Sequence, residues 1–546
     1  MAVFRFTISF DRPDPRSGAF LADTRALGFA SLTAIECQDV YFVEGDLDEA
    51  DLQRLATKLL ADPVTQQARW TQLPAHEPAS AGRQLVEVAL RPGVTDPVAH
   101  EIVRAAHELG VTGVVRAATG LRFLLDGADA TTAARLATRL LANAVIHHWT
   151  LGAIAPSFPL DAAATDQTES IPLRGLDDAA LLALSQARRA ALDLAEMQAL
   201  QRYCEQIHRD LTDVEFETIA QTWSEHCVHK TFKAHITVDR EGEAPTVVDS
   251  IYRSYIRRAT ETIAAPWVLS AFVDNAGIID LDGVNEVSFK VETHNHPSAI
   301  EPFGGANTGV GGVIRDVLGV SHKPVANTDV LCFGPQQLPL ESLPEGVLHP
   351  RVIMSGVVAG VQDYGNKIGI PTVNGAILFD AGYTANPLVF CGTVGIAPQG
   401  MRPDGPRPGD RVVVLGGRTG RDGLRGATFS SMTMDAQTGE VAGSSVQIGD
   451  PITEKGLIDV VVRARDERLY HAITDCGAGG LSSAVGEMAS ELGAEVDLTR
   501  VRLKYPGLAP WEIWLSEAQE RMVLAVPPDA LPRLQALCDT FDTELT

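Results

Sequence analysis

Lys290-Val-Glu-Thr-His-Asn-His-Pro297 opens the densest stretch of the chain, and Ser298-Ala-Ile-Glu-Pro-Phe-Gly-Gly-Ala-Asn-Thr-Gly-Val-Gly-Gly-Val-Ile-Arg-Asp316 continues it. The alternation leading in, Glu286–Glu292, predicts a strand that would set Lys290, Glu292, His294 and His296 on one face. The glycines predict a loop that lets backbone approach a ligand and offers N–H groups to an anion. A lysine, a carboxylate and two histidines beside such a loop suit phosphate and Mg²⁺ handling. Zinc through His294 and His296 is the competing reading, but no Cys lies nearby to complete a tetrahedral set.

Arg315 and Asp316 follow on a short helix, Asp316 as a second carboxylate for Mg²⁺ and Arg315 as a two-pronged phosphate grip. Outward from this centre, Ser224-Glu-His-Cys-Val-His-Lys230 closes a helix and offers His226 and His229. Cys227 between them has no surrounding nucleophile motif. Gly416–Gly426 (GGRTGRDGLRG) follows a strand and has the composition of a phosphate loop, without the Gly-Lys-Ser/Thr of a Walker A motif. Val446-Gln-Ile-Gly-Asp-Pro451 and Thr474-Asp-Cys-Gly-Ala-Gly-Gly-Leu481 are further Gly turns with polar tips, and Asp475 there is a third candidate carboxylate. Glu517-Ala-Gln-Glu-Arg521 leads into a last strand. A nucleotide's phosphates need such a set of carboxylates, Lys, Arg and backbone donors to spread transferring charge.

The 546 residues correspond to about three to five domains. Hydrophobic residues are 45% and charged residues 21%, which excludes wholesale disorder. The net charge of −25 repels phosphate backbones and anionic lipid, so no nucleic-acid or membrane partner is expected. The seven scattered cysteines form no CxxC pair and suit free thiols in a cytoplasmic setting. Residues 1–75 and 80–155 read as two copies of one β-α-β-β-α-β unit, with strand pairs over Ala34–Val43 and Val111–Leu125. Residues 156–212 read as a polar linker followed by one helix, Leu176 to about Arg209. From 213 the texture is α+β and α/β, and the Pro- and Gly-rich Ala397–Pro408 marks a boundary.

The later motifs, SEHCVHK (224–230), KVETHNHPSAIEPFGGANTGVGGVIRD (290–316), IGIPTVNG (368–375), GGRTGRDG (416–423), VQIGDP (446–451), DCGAGGLSSAVGEMA (475–489) and SEAQERM (516–522), resemble phosphoribosylformylglycinamidine synthase in order over about 300 residues. LRPGVTDP (90–97) resembles the PurS partner subunit of that enzyme. The resemblance implies a PurM-like N-terminal domain at 213–397, dimerising through its sheet, and a PurM-like C-terminal α/β domain at 405–546. It implies a ligase that joins ammonia to formylglycinamide ribonucleotide with ATP, giving the amidine, ADP and phosphate in purine biosynthesis. ATP would phosphorylate the amide oxygen and ammonia would displace phosphate.

Carried over residue by residue, the resemblance makes His226 and His294 catalytic, His294 as general base. It makes Glu292, Asp316 and Asp475 Mg²⁺ ligands, and Lys290 and His229 ATP contacts, His229 standing where many members have Tyr. Thr293, His294, Asn295, His296, Arg315, Gln447, Glu517, Ala518 and Gln519 become substrate contacts. No glutaminase motif is present, so a partner subunit is expected to supply ammonia. Members carry the two-domain unit twice; here one copy is read, its C-terminal domain stopping short. A second synthetase half or self-association is therefore expected. The alternatives are another PurM-like ATP enzyme, or a non-catalytic half that only binds partners.

Overall fold

A computed structural model describes residues 1–74, 82–92, 94–158, 167–435 and 447–546. Strands β1 (Ala2–Phe10), β2 (Ala34–Gly45), β3 (Gln66–Leu73), β4 (Gln84–Leu90), β5 (Val114–Asp126) and β6 (His147–Leu151) form one sheet in the order β3-β1-β2-β5-β4-β6. The order is palindromic because the two units meet along their longest strands, β2 against β5, from Ala34↔Asp126 to Gly45↔Val114. Each unit sends its first helix to the other. Phe4, Phe6 and Ile8 of β1 share a core with Ala99, Ile102 and Ala106 of the Pro97–Glu108 helix, and Val86 and Val88 of β4 pack with Phe20 and Leu21 of the Pro15–Ala26 helix. The units therefore bury their apolar faces only together.

The strand pairs expected over Ala34–Val43 and Val111–Leu125 are single long strands, and a third strand follows each second helix, so each unit runs β-α-β-α-β. Gly120 sits inside β5 with its α-carbon against β4; a Cβ there would lie 2.8 Å from the Val88 carbonyl oxygen. The single helix expected to about Arg209 is two, Asp178–Arg188 and Leu194–Gln206. Arg189 and Ala191 take left-handed backbone, and a capping box of Asp193 and Glu196 restarts the helix, overriding the local helix propensity. The short pair β7 (Ser170–Ile171) and β8 (Leu211–Thr212) closes this connector, whose expected linker falls partly on 159–166, outside the described residues.

A hairpin, β9 (His235–Val238) and β10 (Thr246–Asp249), leads to the second large sheet. Strands β11 (Val268–Ser270), β12 (Gly277–Asp280), β13 (Asn285–Thr293), β14 (Lys323–Phe333), β15 (Thr372–Phe379) and β16 (Leu388–Pro398) stand in the order β11-β12-β13-β16-β14-β15. The helices Pro302–Gly319 and Pro350–Ile368 pack on this sheet, and their core continues into the last domain through Leu415, Leu457, Val461 and Leu524. That domain has β17 (Arg411–Gly416), β18 (Ala472–Asp475) and β19 (Arg521–Val526) in the order β17-β19-β18, with helices Pro451–Asp466 and Leu531–Thr540 against it. The segment between β16 and β17 holds no helix or strand, where a boundary is expected. The mixed α/β architecture is the one expected, and no helix among the described residues is long and apolar enough to cross a membrane.

The glycine-rich 304–312 stretch is not a loop. It lies inside the Pro302–Gly319 helix, started by Pro302 and capped by the Glu301 carboxylate. Its glycines serve close packing: a Cβ on Gly305 would lie 2.4 Å from the Ser298 nitrogen, and one on Gly309 would lie 3.0 Å from the His294 Cβ. Small residues let the helix lie directly on the 294–298 turn and β16, and burial outweighs their poor helix propensity.

Candidate active site

The C-terminal end of β13, the Pro302–Gly319 helix and the end of β18 converge on four charged side chains. Lys290 Nζ lies 2.9 Å from Asp316 Oδ2 and 3.7 Å from Glu292 Oε2. Asn275 Nδ2 donates to both Asp316 Oδ1 (3.1 Å) and Asp475 Oδ1 (2.9 Å), joining the two aspartates across the domain boundary. Desolvation and then Asp475 push the Asp316 carboxyl well above its ordinary pKa, with Lys290 opposing. Desolvation raises Asp475 too, against the pull of Arg315. Lys290 is raised because Asp316 and Glu292 outweigh its own desolvation. Two crowded carboxylates with one ammonium make a site that favours added positive charge. Among the described residues no three His, Cys, Asp or Glu side chains draw close enough to cage a metal. Glu292, Asp316 and Asp475 thus share one neighbourhood without forming a closed triad, which suits Mg²⁺ held by one or two carboxylates plus phosphates and water.

Strand β13 ends at Thr293, so only Lys290 and Glu292 share its face. His294 starts the next turn and His296 lies in the Asn295–Ile300 helix, because Pro297 and the packed glycines end the extended run. His294 is half-buried; desolvation lowers its imidazole below the ordinary range, Glu292 opposing, and its Nδ1 has no hydrogen-bond partner. His226 faces the same Glu292 from the short Glu225–Val228 helix. Its backbone N–H donates to Ser431 Oγ at 3.2 Å. His229 takes left-handed backbone at the end of that helix, with φ 56°. His296 Nε2 lies 3.2 Å from the Met432 carbonyl oxygen, and Asn295 Oδ1 accepts from the Val389 N–H at 2.8 Å. Thr293 is exposed beside them.

A second cluster lies behind the first. Glu517 accepts from the N–H groups of Gly479 (3.1 Å) and Ala427 (3.2 Å) and from Gln447 Nε2 (2.6 Å). Burial, opposed by those donors, pushes its carboxyl up to about 7. Gln519 Nε2 donates to Gln447 Oε1 (2.9 Å), and the Ala518 N–H donates to Ser516 Oγ (3.2 Å). Arg315, expected to reach a substrate, is 2% exposed; both terminal nitrogens have partners, while Nε has none. Its guanidinium binds Glu454 (2.7 Å) and donates to the Gln519 side-chain oxygen Oε1, with Glu520 3.9 Å away. It positions Gln519 rather than facing the cleft in this state. Sequence reasoning missed Asn275, Tyr364 and Glu454, which carry no motif signal of their own.

The tandem N-terminal body docks on both later domains. Asn143 Nδ2 donates to the Ile300 carbonyl (2.7 Å), Thr95 Oγ1 to Asp422 Oδ1 (2.7 Å), and Arg351 lies 3.3 Å from Asp23.

Family models match four stretches: a formylglycinamide ribonucleotide amidotransferase linker domain at 181–230, AIR synthase related N- and C-terminal domains at 273–397 and 407–544, and a PurS model described as phosphoribosylformylglycinamidine (FGAM) synthase at 83–154. The phosphoribosylformylglycinamidine synthase subunit PurL of Thermoplasma acidophilum is 40% identical over 384 residues, 69% of this chain and 47% of that protein. The PurL subunit of Thermotoga maritima is 39% identical over 335 residues, 60% of this chain and 48% of its own length. The solved structure of T. maritima PurL complexed with FGAR superposes with a TM-score of 0.52 at 36% identity, covering 64% of this chain and 51% of that one. The chain spans about half the length of the curated relatives it matches. With a PurS unit, a linker and paired AIR synthase related domains in this order, the chain carries the domains that phosphoribosylformylglycinamidine synthase family models describe and is similar to about half of a PurL subunit.

Proposed function

We propose that this chain supplies an ATP-dependent amidine-forming site that converts formylglycinamide ribonucleotide and ammonia to the formylglycinamidine ribonucleotide, ADP and phosphate, in the cytoplasm. The observation that carries the reading is the gathering of Lys290, Glu292, Asp316 and Asp475 beside His226 and His294, on a scaffold shared with PurL relatives.

In the first step the amide oxygen forms a bond to the γ-phosphorus as the β–γ bridging bond breaks, releasing ADP. In the second, ammonia forms the C–N bond, the C–O bond to the phosphoryl group breaks, and phosphate leaves. Lys290 would hold nucleotide phosphates by charge. His294, its imidazole lowered by desolvation and its Nδ1 unpartnered, would take the proton that the attacking nitrogen must lose. His226 shares the Glu292 field and would orient the reacting amide. Thr293, Asn295 and His296 line the open side, while Gln447, Glu517, Ala518 and Gln519 form the rigid wall that Arg315 braces. Mg²⁺ held by Asp316 and Asp475, with Glu292 beside them, would supply neutralising charge for the phosphates. Ammonia would come from a glutaminase partner, and a second synthetase half or a second copy would cover the open sheet.

The test is ADP release by the purified chain with ATP, Mg²⁺, formylglycinamide ribonucleotide and high ammonium. Substrate-dependent release is expected. A folded chain that releases none, alone or with a separately made second half, overturns the proposal.

A further inference from the structure

The seam between the two later domains has a second face, at the opposite end of β13 and β18 from the charged cleft. There the segment joining the domains folds over the end of the Pro451–Asp466 helix and the entry to β18, leaving a cavity of about 170 Å³. Arg402 and Arg407 line it from the joining segment, and Arg465, Arg468 and His471 from the last domain. The carboxylate in the lining is Asp404, which is exposed and lies 3.2 Å from Arg407. In a chain of net charge −25, four guanidinium groups and an imidazole around one cavity are a local concentration of cationic side chains.

Their partners leave that charge partly uncompensated. Arg465 is buried and committed to structure, pairing with Asp466 (2.7 Å) and donating to the Ser321 carbonyl (2.9 Å). His471 is held by Asp410 at 2.9 Å, and Arg402 approaches Glu286 through Nε at 3.3 Å. Arg468 has no carboxylate within ion-pair distance among the described residues; Nη2 reaches only the Gly400 carbonyl (3.2 Å) and the Met401 sulfur. It also sits just past the helix in left-handed backbone, φ 55°, a position that favours Gly. Behind the cavity, His322 is fully buried, with neither ring nitrogen hydrogen-bonded, 3.5 Å from Glu286. The C-terminal end of the helix disfavours an anion, which several guanidiniums outweigh.

The geometry points to a second anion site at this seam, built for the phosphate or diphosphate group of a small molecule and gripping the joining segment and the last domain together. Arginine rather than lysine at four positions suits forked contact with phosphate oxygens. The site is separate from the cleft: β18 carries His471 at its entry and Asp475 at its end, about 13 Å apart at 3.3 Å per residue. A diphosphate cannot span both.

The experiment is calorimetric titration of the full chain with inorganic pyrophosphate, and separately with ADP, in low-chloride buffer. It uses wild type, Arg468→Ala, Arg407→Ala and the cleft variant Lys290→Ala. Binding is read rather than turnover, so a chain inactive in synthesis leaves the test intact. Pyrophosphate binding is expected to weaken at least tenfold in Arg468→Ala and Arg407→Ala and to persist in Lys290→Ala. A matching Arg468-dependent loss with ADP identifies a nucleotide diphosphate as the source. Loss with pyrophosphate alone identifies the free anion, and both support the site. Arg468 and Arg407 are exposed, so their variants fold, as a thermal melt would verify. No measurable pyrophosphate binding, or binding lost in Lys290→Ala and kept in both arginine variants, overturns it.

Discussion

Glu454 and Glu520 meet at one hydroxyl: Tyr364 Oη lies 2.6 Å from Glu454 Oε2 and 2.7 Å from Glu520 Oε1. A phenol has one proton to donate, so the second short contact needs a proton on a carboxyl group. Burial, opposed by Arg315 and reinforced by Glu454, pushes Glu520 up to about 7, which makes it the proton's holder near neutrality. A carboxyl group whose folded pKa is raised binds protons more tightly folded than unfolded. Its contribution is full below the unfolded value of about 4.3, shrinks as pH rises through about 7, and is absent above. This contribution to the chain's stability should therefore fall between about pH 4 and pH 7. Glu520→Gln should flatten part of that fall, as followed by urea unfolding at several pH values. An unchanged slope would remove Glu520 as the proton's holder.

His294→Ala should abolish substrate-dependent ADP release, while circular dichroism and melting stay near those of the parent. The side chain packs against Gly309 but makes no side-chain hydrogen bond through Nδ1, so its loss removes chemistry more than structure. Normal turnover in that variant would end the general-base role. Glu292→Ala should weaken Mg²⁺–ATP binding at least tenfold, since it removes one of the charges around Lys290; an unchanged nucleotide affinity would take Glu292 out of the site.

The placement of these residues was only partly legible in the sequence. The β13 alternation gave the Lys290–Glu292 face because period-two patterning is local. The step after Thr293 was not legible, since a glycine run has the same composition in a loop and in a tightly packed helix. What distinguishes them is the backbone of β16 and the 294–298 turn, distant partners that sequence alone does not place. Arg315 likewise has the character of a phosphate grip beside Asp316. Its actual neighbours, Glu454 and Gln519, come from far along the chain, and buried ion pairs of that separation leave no spacing signal.

Lys504 Nζ lies 2.9 Å from Asp422 Oδ2 and 3.3 Å from Thr95 Oγ1, so one ammonium ties the second N-terminal unit to the loop after β17. Asp422 is buried, and its carbonyl accepts the Glu517 N–H at 2.9 Å. Lys504→Met would leave that carboxylate without its cation, at a cost of roughly 3 kcal/mol. It should also loosen Glu517, raising KM for the ribonucleotide more than it lowers kcat. Thr95→Val, which removes only the contact from the N-terminal unit, should cost about 1 kcal/mol. Equal effects of the two on KM and on unfolding would argue against a path from Asp422 to Glu517.

Strand β15 is exposed at all eight positions, and Val373, Ile377, Leu378 and Phe379 lie open at the edge of its sheet. Val325 on the neighbouring β14, and Phe289 and Val291 on β13 of the same sheet, add exposed apolar surface. One side of β15 pairs with β14, and its other edge carries no strand among the described residues. Exposed apolar side chains on an unpaired edge strand drive association. Light scattering should show a mass above 58.4 kDa that rises with concentration over the micromolar range. Ile377→Lys with Phe379→Lys should lower it to the single chain without reducing melting temperature, because both side chains already face water. A constant monomer mass for the parent across that range would show that this face needs no partner.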